Sequence, residues 1–208
     1  MLYHQQRLPT LTDILRWTDQ LTELGYTTVR TTALAVPAGI RVETAGFHSI
    51  QELVLLELTD PRLAVRASAA PHAPTQRLVA GQRAVASTID VAAFTEAWGL
   101  EPRAIGEVCA ATPRFRARTA GEPMSAYALS GRDAKQGFLQ RLAVTPTQQR
   151  GGLGRALVLD SLQWLARWRV RRVLVNTPSD NYPALALYEQ MGFHPMSERL
   201  RVYERALQ

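Results

Sequence analysis

An apolar run, a glycine-rich turn and the start of an amphipathic stretch follow one another in FLQRLAVTPTQQRGGLGRAL, residues 138–157. Glycine adopts positive φ at little steric cost and lets a ligand approach the backbone closely. The helix that this pattern predicts from Gly152 to about Trp168 would begin with unpaired N–H groups and a partial positive charge, which suit a phosphate group. A purely structural turn is the alternative that these residues alone leave open.

Two familiar phosphate-binding loops do not fit this turn. The dinucleotide fingerprint needs a small residue where Leu157 stands, and the P-loop needs a Gly-Lys-Ser/Thr ending that is absent here. The sequence therefore disfavours NAD and ATP as ligands, and the turn has to be interpreted together with the residues that follow it.

Two short motifs stand in order in this part of the chain: residues 149–154, QRGGLG, and, about 27 positions downstream, residues 181–193, NYPALALYEQMGF. They resemble two motifs of the GNAT superfamily of acyl-CoA-dependent N-acetyltransferases. The first fits its Gln/Arg-x-x-Gly-x-Gly/Ala pyrophosphate loop, and the second fits its Asn-x-x-Ala-x-x-Leu-Tyr-Glu-x-x-Gly-Phe motif. The clear resemblance covers residues 135–193, and the helix and strand pattern extends it back to residue 77.

The resemblance implies an acetyl-CoA site. The strand at residues 142–144 would splay from a parallel neighbour at 173–176 and bind the pantetheine arm, while the amides of residues 150–155 would wrap the pyrophosphate. The implied cofactor-binding residues are Leu142, Ala143, Val144, Gln149, Arg150, Gly151, Gly152, Leu153, Gly154, Arg155, Asn181 and Tyr188.

Tyr188 occupies the position of the family's general acid, whose phenol protonates the departing CoA thiolate as an amine attacks the acetyl carbon. A tyrosine that packs its helix onto the sheet, with its hydroxyl bonded to the backbone, is the structural alternative. The general base is not evident, because Gln140 and Arg141 stand where many members carry a glutamate. Four residues are candidates by charge type alone, with ordinary surface roles or a water chain as the alternatives: Glu107, Glu122, Asp133 and His194.

The patterns around these motifs predict an α/β (α+β) protein with a mixed, mostly antiparallel sheet flanked by helices, in agreement with the GNAT fold. Helices are predicted at 89–99, 101–111, 152–168 and 181–191, and strands at 114–120, 124–130, 137–144 and 170–177, with a last strand around 200–203.

The first 60 residues echo the last quarter of the chain. Shifted by 146 positions, residues 46–48, GFH, fall on residues 192–194, also GFH. The order helix 11–24, strand 26–33, helix 37–45 and strand 50–58 matches that later region, although chance similarity of short pieces is the alternative. We predict a degenerate GNAT-like half domain at 1–60, a linker at 61–76 and a catalytic GNAT domain at 77–208.

Residues 35 and 42 of the degenerate copy are alanine and valine, where the later copy has Asn181 and Tyr188, so we expect it to bind no cofactor and to pack against the catalytic domain.

Composition limits the other functions. Lys135 is the only lysine among 24 basic residues, and the arginines are scattered apart from a cluster at residues 167–172, RWRVRR. No nucleic-acid-binding signature surrounds that cluster, which argues against nucleic acid as a partner despite the net charge of +6. No apolar run suits a signal peptide or a membrane span, and Cys109 is the only cysteine, so we expect a soluble cytoplasmic protein. No metal site is expected, and a homodimer is left open.

These observations favour an acetyl-CoA-dependent N-acetyltransferase that uses acetyl-CoA as cosubstrate and acts on a primary amine of a small molecule or a protein. The alternative is a catalytically silent acyl-CoA-binding sensor or regulatory module, as the missing base would suggest.

Overall fold

The computed structural model describes residues 8–68, 72–95, 97–112 and 114–207. Parts of the predicted segments, at 1–7, 69–71, 96 and 208, lie outside the described residues. The helices are α1 Leu11–Glu23, α2 Val36–Thr44, α3 Pro61–Ala67, α4 Arg83–Phe94, α5 Pro102–Ala111, α6 Leu153–Arg167 and α7 Tyr182–Gln190. The strands are β1 Thr28–Arg30, β2 Leu34–Ala35, β3 His48–Thr59, β4 Thr75–Arg77, β5 Phe115–Ala120, β6 Ala126–Arg132, β7 Gln136–Val144, β8 Arg172–Pro178 and β9 His194–Ala206.

The chain divides into two compact units. The first unit contains residues 57–175 and 186–194, and the second contains residues 8–56, 176–185 and 195–207 of the described chain. The domain boundaries predicted from the sequence stay a prediction, but the segment predicted as a linker contains regular structure. Helix α3 forms there because Asp60 accepts a hydrogen bond from the Arg62 N–H at 3.1 Å and Pro61 opens the helix.

The first unit contains strands in the order β8, β7, β6, β5, β4. Strands β4 to β7 pair antiparallel and β7 pairs parallel with β8, which confirms the predicted mixed, mostly antiparallel sheet flanked by helices. Helices α4 and α5 cover one part of this sheet through a core of buried apolar side chains, which include Tyr127, Leu129, Ile89 and Ile105. The register between β6 and β7 shifts at Leu129/Ser130, leaving Gln140 as an extra residue in β7.

Helix α4 corrects one sequence expectation. It begins at Arg83 rather than at residue 89 and ends at Phe94, because a turn capped by the Gln82 side chain precedes it and Thr95 adopts a φ of 69°. Asp90, which the sequence reading placed at the start of this helix, lies inside it with no exposed surface.

The second unit is organised around β9, which pairs antiparallel with β1 and β2. Its core contains Ile14, Val42, Ala45, Phe47 and Tyr203. Strand β9 spans 13 residues, and the sequence predicted only its middle part. Helix α1 begins with a complete capping box, in which Thr10 and Asp13 bond to each other's backbone N–H groups at 3.1 and 3.0 Å.

Local geometry supports the predicted repeat, which stays a prediction. Gly46 and Gly192 both end a helix with positive φ, at 83° and 87°. The N–H of the phenylalanine that follows each glycine bonds a helix carbonyl five residues back, Val42 for Phe47 and Tyr188 for Phe193.

Candidate functional site

The turn between β7 and α6 presents a row of free backbone donors. Within the described chain, the N–H groups of residues 150–155 donate to no carbonyl or side-chain oxygen. Arg150 and Gly152 adopt positive φ, at 65° and 82°, and a Cβ added at Gly152 would meet nothing within 4 Å. Successive N–H groups in such a conformation at a helix start form a concave site for an anion.

Gly154 brings three predicted parts of the site together. A Cβ at this position would lie 3.3 Å from the Leu187 side chain, 3.7 Å from Val144 and 4.0 Å from Leu142. The first turn of α6 therefore packs closely on the end of β7 and on the part of α7 that carries Tyr188, the neighbour of Leu187. A small residue suits this position, because a Cβ could be accommodated only if the Leu187 side chain shifted by a few tenths of an ångström.

Strand β7 has a free backbone edge close to this turn. Its parallel register with β8 pairs Gln136 with Arg172, Gly137 with Val173 and Phe138 with Leu174, and the described register contains no further pair. Strand β7 continues to Val144, so residues 139–144 present their backbone groups on that side without a partner from β8. Such an edge can bond the amides of an extended ligand.

Tyr188 lies in the first unit and is 4% exposed. Its ring packs on Phe193, with ring centroids 5.7 Å apart, and burial raises the pKa of its hydroxyl. The structure describes no hydrogen bond from that hydroxyl to another residue. A packing tyrosine would normally satisfy its hydroxyl with a backbone group, and none is described for Tyr188.

Two of the predicted cofactor-binding residues, Gln149 and Asn181, make hydrogen bonds to nearby backbone groups. The Gln149 side chain donates to the Val144 carbonyl at 3.3 Å and so closes the turn. Asn181 lies in the second unit, where its Oδ1 accepts from the Ala184 N–H at 3.2 Å and caps α7.

The four candidate bases have exposed positions. Glu107 pairs with Arg103 at 2.8 Å on the surface of α5, and Asp133 Oδ1 accepts from the backbone of a turn, including the Gln136 N–H at 2.7 Å. Glu122 lies in an exposed turn, and His194 is exposed at the start of β9. In the described ranges, no group of three His, Cys, Asp or Glu side chains could hold a metal ion.

The sequence reading missed a buried network next to β7. Asp90 accepts hydrogen bonds from Arg141 Nε and Nη2 at 2.9 and 2.5 Å, from the Tyr127 hydroxyl at 2.5 Å and from the Leu100 N–H at 2.7 Å. Burial and the neighbouring Asp90 raise the pKa of Tyr127. The signal was an aspartate inside an apolar helical run, since aspartate is seldom fully buried without a partner.

Arg141 fixes the segment that follows α4. Its Nη2 also donates to the Trp98 carbonyl at 2.7 Å, and its guanidinium lies 3.7 Å from the centroid of the Phe94 ring. Because Gln140 is the bulge residue, Arg141 falls on the helix-covered face and its charge is compensated there. The position where many family members carry a base therefore holds a neutralised cation.

The fold and the turn define a class, the GNAT-type acetyltransferases. A profile of the Acetyltransferase (GNAT) family matches residues 86–193 of the 208, so the chain belongs to this family. The resemblance and enzyme class inferred from the sequence are thereby confirmed. Within the described ranges, no helix has the length and apolar content that crossing a bilayer requires.

Individual relatives match over shorter stretches. A mycothiol acetyltransferase of Amycolatopsis mediterranei is 44% identical over 52 residues, which are 25% of this chain and 17% of the relative. The [ribosomal protein bS18]-alanine N-acetyltransferase of Escherichia coli K12 is 34% identical over 80 residues, 38% of this chain and 54% of the relative. The matches thus span about half or less of these relatives.

Solved structures share the fold. A tandem GNAT protein from the clavulanic acid biosynthesis pathway has a TM-score of 0.68 at 17% identity. The match covers 95% of this chain and 69% of the tandem protein's chain. The ribosomal-protein-S18-alanine N-acetyltransferase of Escherichia coli has a TM-score of 0.53 at 21% identity. The match covers 65% of this chain and 94% of the Escherichia coli chain.

Proposed function

We propose that this protein moves an acetyl group from acetyl-CoA to a primary amine by direct attack in a ternary complex. The observation that carries the proposal is the run of free N–H groups at residues 150–155, beside the unpaired edge of β7 and the helix that carries Tyr188. Acetyl-CoA would supply a pyrophosphate for these donors, amides for the strand edge and an activated acetyl thioester.

Different parts of the chain bind different parts of acetyl-CoA. The N–H groups of residues 150–155 bind the two phosphates, and Arg150 and Arg155 add positive charge. The backbone edge of residues 142–144 aligns the arm of the cosubstrate, as the free edge beyond Phe138 allows.

Tyr188 donates the proton that the leaving sulfur needs. As the amine nitrogen bonds to the acetyl carbon, the carbon–sulfur bond breaks and the phenol proton passes to the sulfur. The phenol is protonated at neutral pH like any tyrosine, and burial raises its pKa further above the ordinary value. The amine loses its proton to water, since Gln140 and Arg141 supply no carboxylate on β7 and the Asp90 oxygens are already fully bonded.

Neither the motif at residues 149–154 nor the motif at residues 181–193 identifies the class of amine that accepts the acetyl group. One relative is named for mycothiol and another for an alanine of a ribosomal protein. A panel of amines therefore has to contain both small metabolite amines and peptides with a free N-terminus.

Tyr188→Phe tests the proposal and separates it from a silent sensor. Calorimetric titration with acetyl-CoA and with CoA should show saturable binding that the variant retains, while turnover on the best amine of the panel falls at least about tenfold. Tyr26→Phe, which removes an exposed tyrosine hydroxyl elsewhere, is the matched control. Binding without turnover by the unmodified protein on every amine would favour the sensor, and no binding would overturn both readings.

A further inference from the structure

A cavity of about 670 Å³ lies in the first unit, and neither the turn nor Tyr188 lines it. It borders the part of β5 that runs past the end of β4, where the described register pairs β4 only with residues 118–120. Its volume falls within the range of small-molecule sites, about 300–1,000 Å³. No residue of the proposed acetyl-CoA site lines it.

Arginine dominates the charge of this cavity. Its lining includes four arginines, Arg77, Arg83, Arg116 and Arg118, and no carboxylate. Asp160 reaches two of them from α6, since its oxygens lie 2.5 Å from Arg116 Nε and 3.2 Å from Arg118 Nε. Burial acts to raise the pKa of Asp160, but the hydrogen bonds from Arg116 and Thr75 and both arginine charges outweigh it, so the pKa lies below its ordinary value.

The other two arginines are uncompensated. Among the described residues, neither Arg77 nor Arg83 has an ion pair or a side-chain hydrogen bond. The Arg83 guanidinium lies against Gly106 of α5, where a Cβ would come within 2.8 Å of its Nη1, so its position is restricted by packing. Like charges placed together in a concave wall raise the local concentration of anions.

Apolar surface lies beside these charges. Phe115 and Val79 line the same cavity and are 46% and 51% exposed, and the partly exposed Trp164 lines it from α6. Large apolar side chains on a protein surface gain from being covered, and aromatic rings stack on flat ligands. The wall therefore combines guanidinium groups, which bind carboxylate or phosphate by paired hydrogen bonds, with aromatic rings.

We propose that this cavity binds a small organic anion with a flat apolar body. Its carboxylate or phosphate pairs with Arg77 and Arg83, and its ring packs against Phe115. The site is separate from the proposed acetyl-CoA site, so it provides a place for a regulator or for a second ligand of the enzyme.

Calorimetric titration of the full chain with benzoate and with phenyl phosphate tests the proposal, and the two probes distinguish carboxylate from phosphate. At least one should saturate below about 10 mM and bind at least about tenfold more tightly than benzyl alcohol or inorganic phosphate. The same result in the Gly152→Glu variant would place the binding outside the turn, whether or not acetyl-CoA binds there.

Paired variants identify the arginines. The double variant Arg77→Gln with Arg83→Gln should bind the aromatic anion at least about tenfold more weakly than the unmodified protein. The double variant Arg77→Lys with Arg83→Lys keeps the charge, and its affinity should lie between those of the glutamine variant and the unmodified protein. The control is Arg62→Gln with Arg66→Gln, an equal charge change on exposed arginines of α3 that should leave affinity within about twofold.

Three outcomes would overturn the proposal. They are no saturation by either aromatic anion, equal binding of benzyl alcohol, and binding that the glutamine pair leaves unchanged. Salt-sensitive binding of duplex DNA in place of the small anions, lost in the glutamine pair, would also overturn it and assign the arginines to nucleic acid.

Discussion

Replacing Asp90 by asparagine should be among the most destabilising single changes in the first unit. Asp90 is fully buried and accepts four hydrogen bonds, two of them from Arg141. Removing one partner of a buried ion pair costs about 3–5 kcal/mol, because the other charge is left uncompensated. The Arg141 side chain is 20% exposed and can be partly rehydrated, so we expect the lower end, about 3 kcal/mol.

Thermal and urea unfolding, followed by circular dichroism and tryptophan fluorescence, would measure this loss. At about 2–4 °C per kcal/mol for a chain of this length, the melting temperature should fall by about 6–12 °C. Glu107→Gln is the matched control, because it breaks an ion pair whose two side chains are 64% and 89% exposed and should change stability by no more than about 0.5 kcal/mol.

A double-mutant cycle tests the cause. Asp90→Leu together with Arg141→Met removes both charges, so the double variant should lose at least about 1.5 kcal/mol less than the sum of the two single variants. The reasoning is refuted if Asp90→Asn lowers the melting temperature by less than about 2 °C, or if the two single effects add within about 0.5 kcal/mol.

Three further changes test other parts of the structure. Gly152→Glu should weaken acetyl-CoA binding about 150-fold by calorimetry, since a carboxylate there repels the pyrophosphate by about 3 kcal/mol, whereas Gly25→Glu, with a similar positive φ and equally open space, should have no effect. Equal losses in both would contradict the site. Asp160 has a pKa below its ordinary value, so its stabilisation is complete above about pH 4 and lost as pH falls through the folded value. Asp160→Asn should therefore reduce the fall in urea stability between about pH 5 and pH 2, and an unchanged slope would be the contrary result. Gly39→Ala should cost about 1–3 kcal/mol, because its Cβ would lie 2.2 Å from the Tyr203 hydroxyl oxygen, and adding Tyr203→Phe should recover part of the loss in thermal unfolding. No recovery would show that the clash is not the cause.

The sequence predicted best those elements that carry their own boundary signals. Strand β7, helix α6 and helix α7 each lie within one residue of the predicted bounds, because glycine, proline or an asparagine cap marks every end except the last turn of α6. Helix α4 had no such marker at Arg83, and its predicted start at residue 89 put Asp90 in its first turn. Its true partner, Arg141, lies 51 residues away, and a contact of that range leaves no trace in local periodicity.

The sequence did not predict the bulge in β7 either. A strand alternates its side chains between two faces, so Gln140 and Arg141 should point in opposite directions. The extra residue changes this alternation, and both side chains bond on the helix-covered side, Gln140 to Thr112 at 3.0 Å and Arg141 to Asp90. The motif could indicate where a ligand binds, but not which groups face it.

The contacts of the buried carboxylates explain why neither acts as a general base. Asp90 and Asp160 are the buried carboxylates of the described chain, and arginine guanidinium groups bond both oxygens of each. A carboxylate held in this way is a poor proton acceptor, because protonation would break an ion pair in a buried place. The proposed reaction then needs an acceptor that arrives deprotonated or loses its proton to water. Discrimination between amines would rest on their own pKa as well as on their shape, and weakly basic amines would hold the advantage at neutral pH.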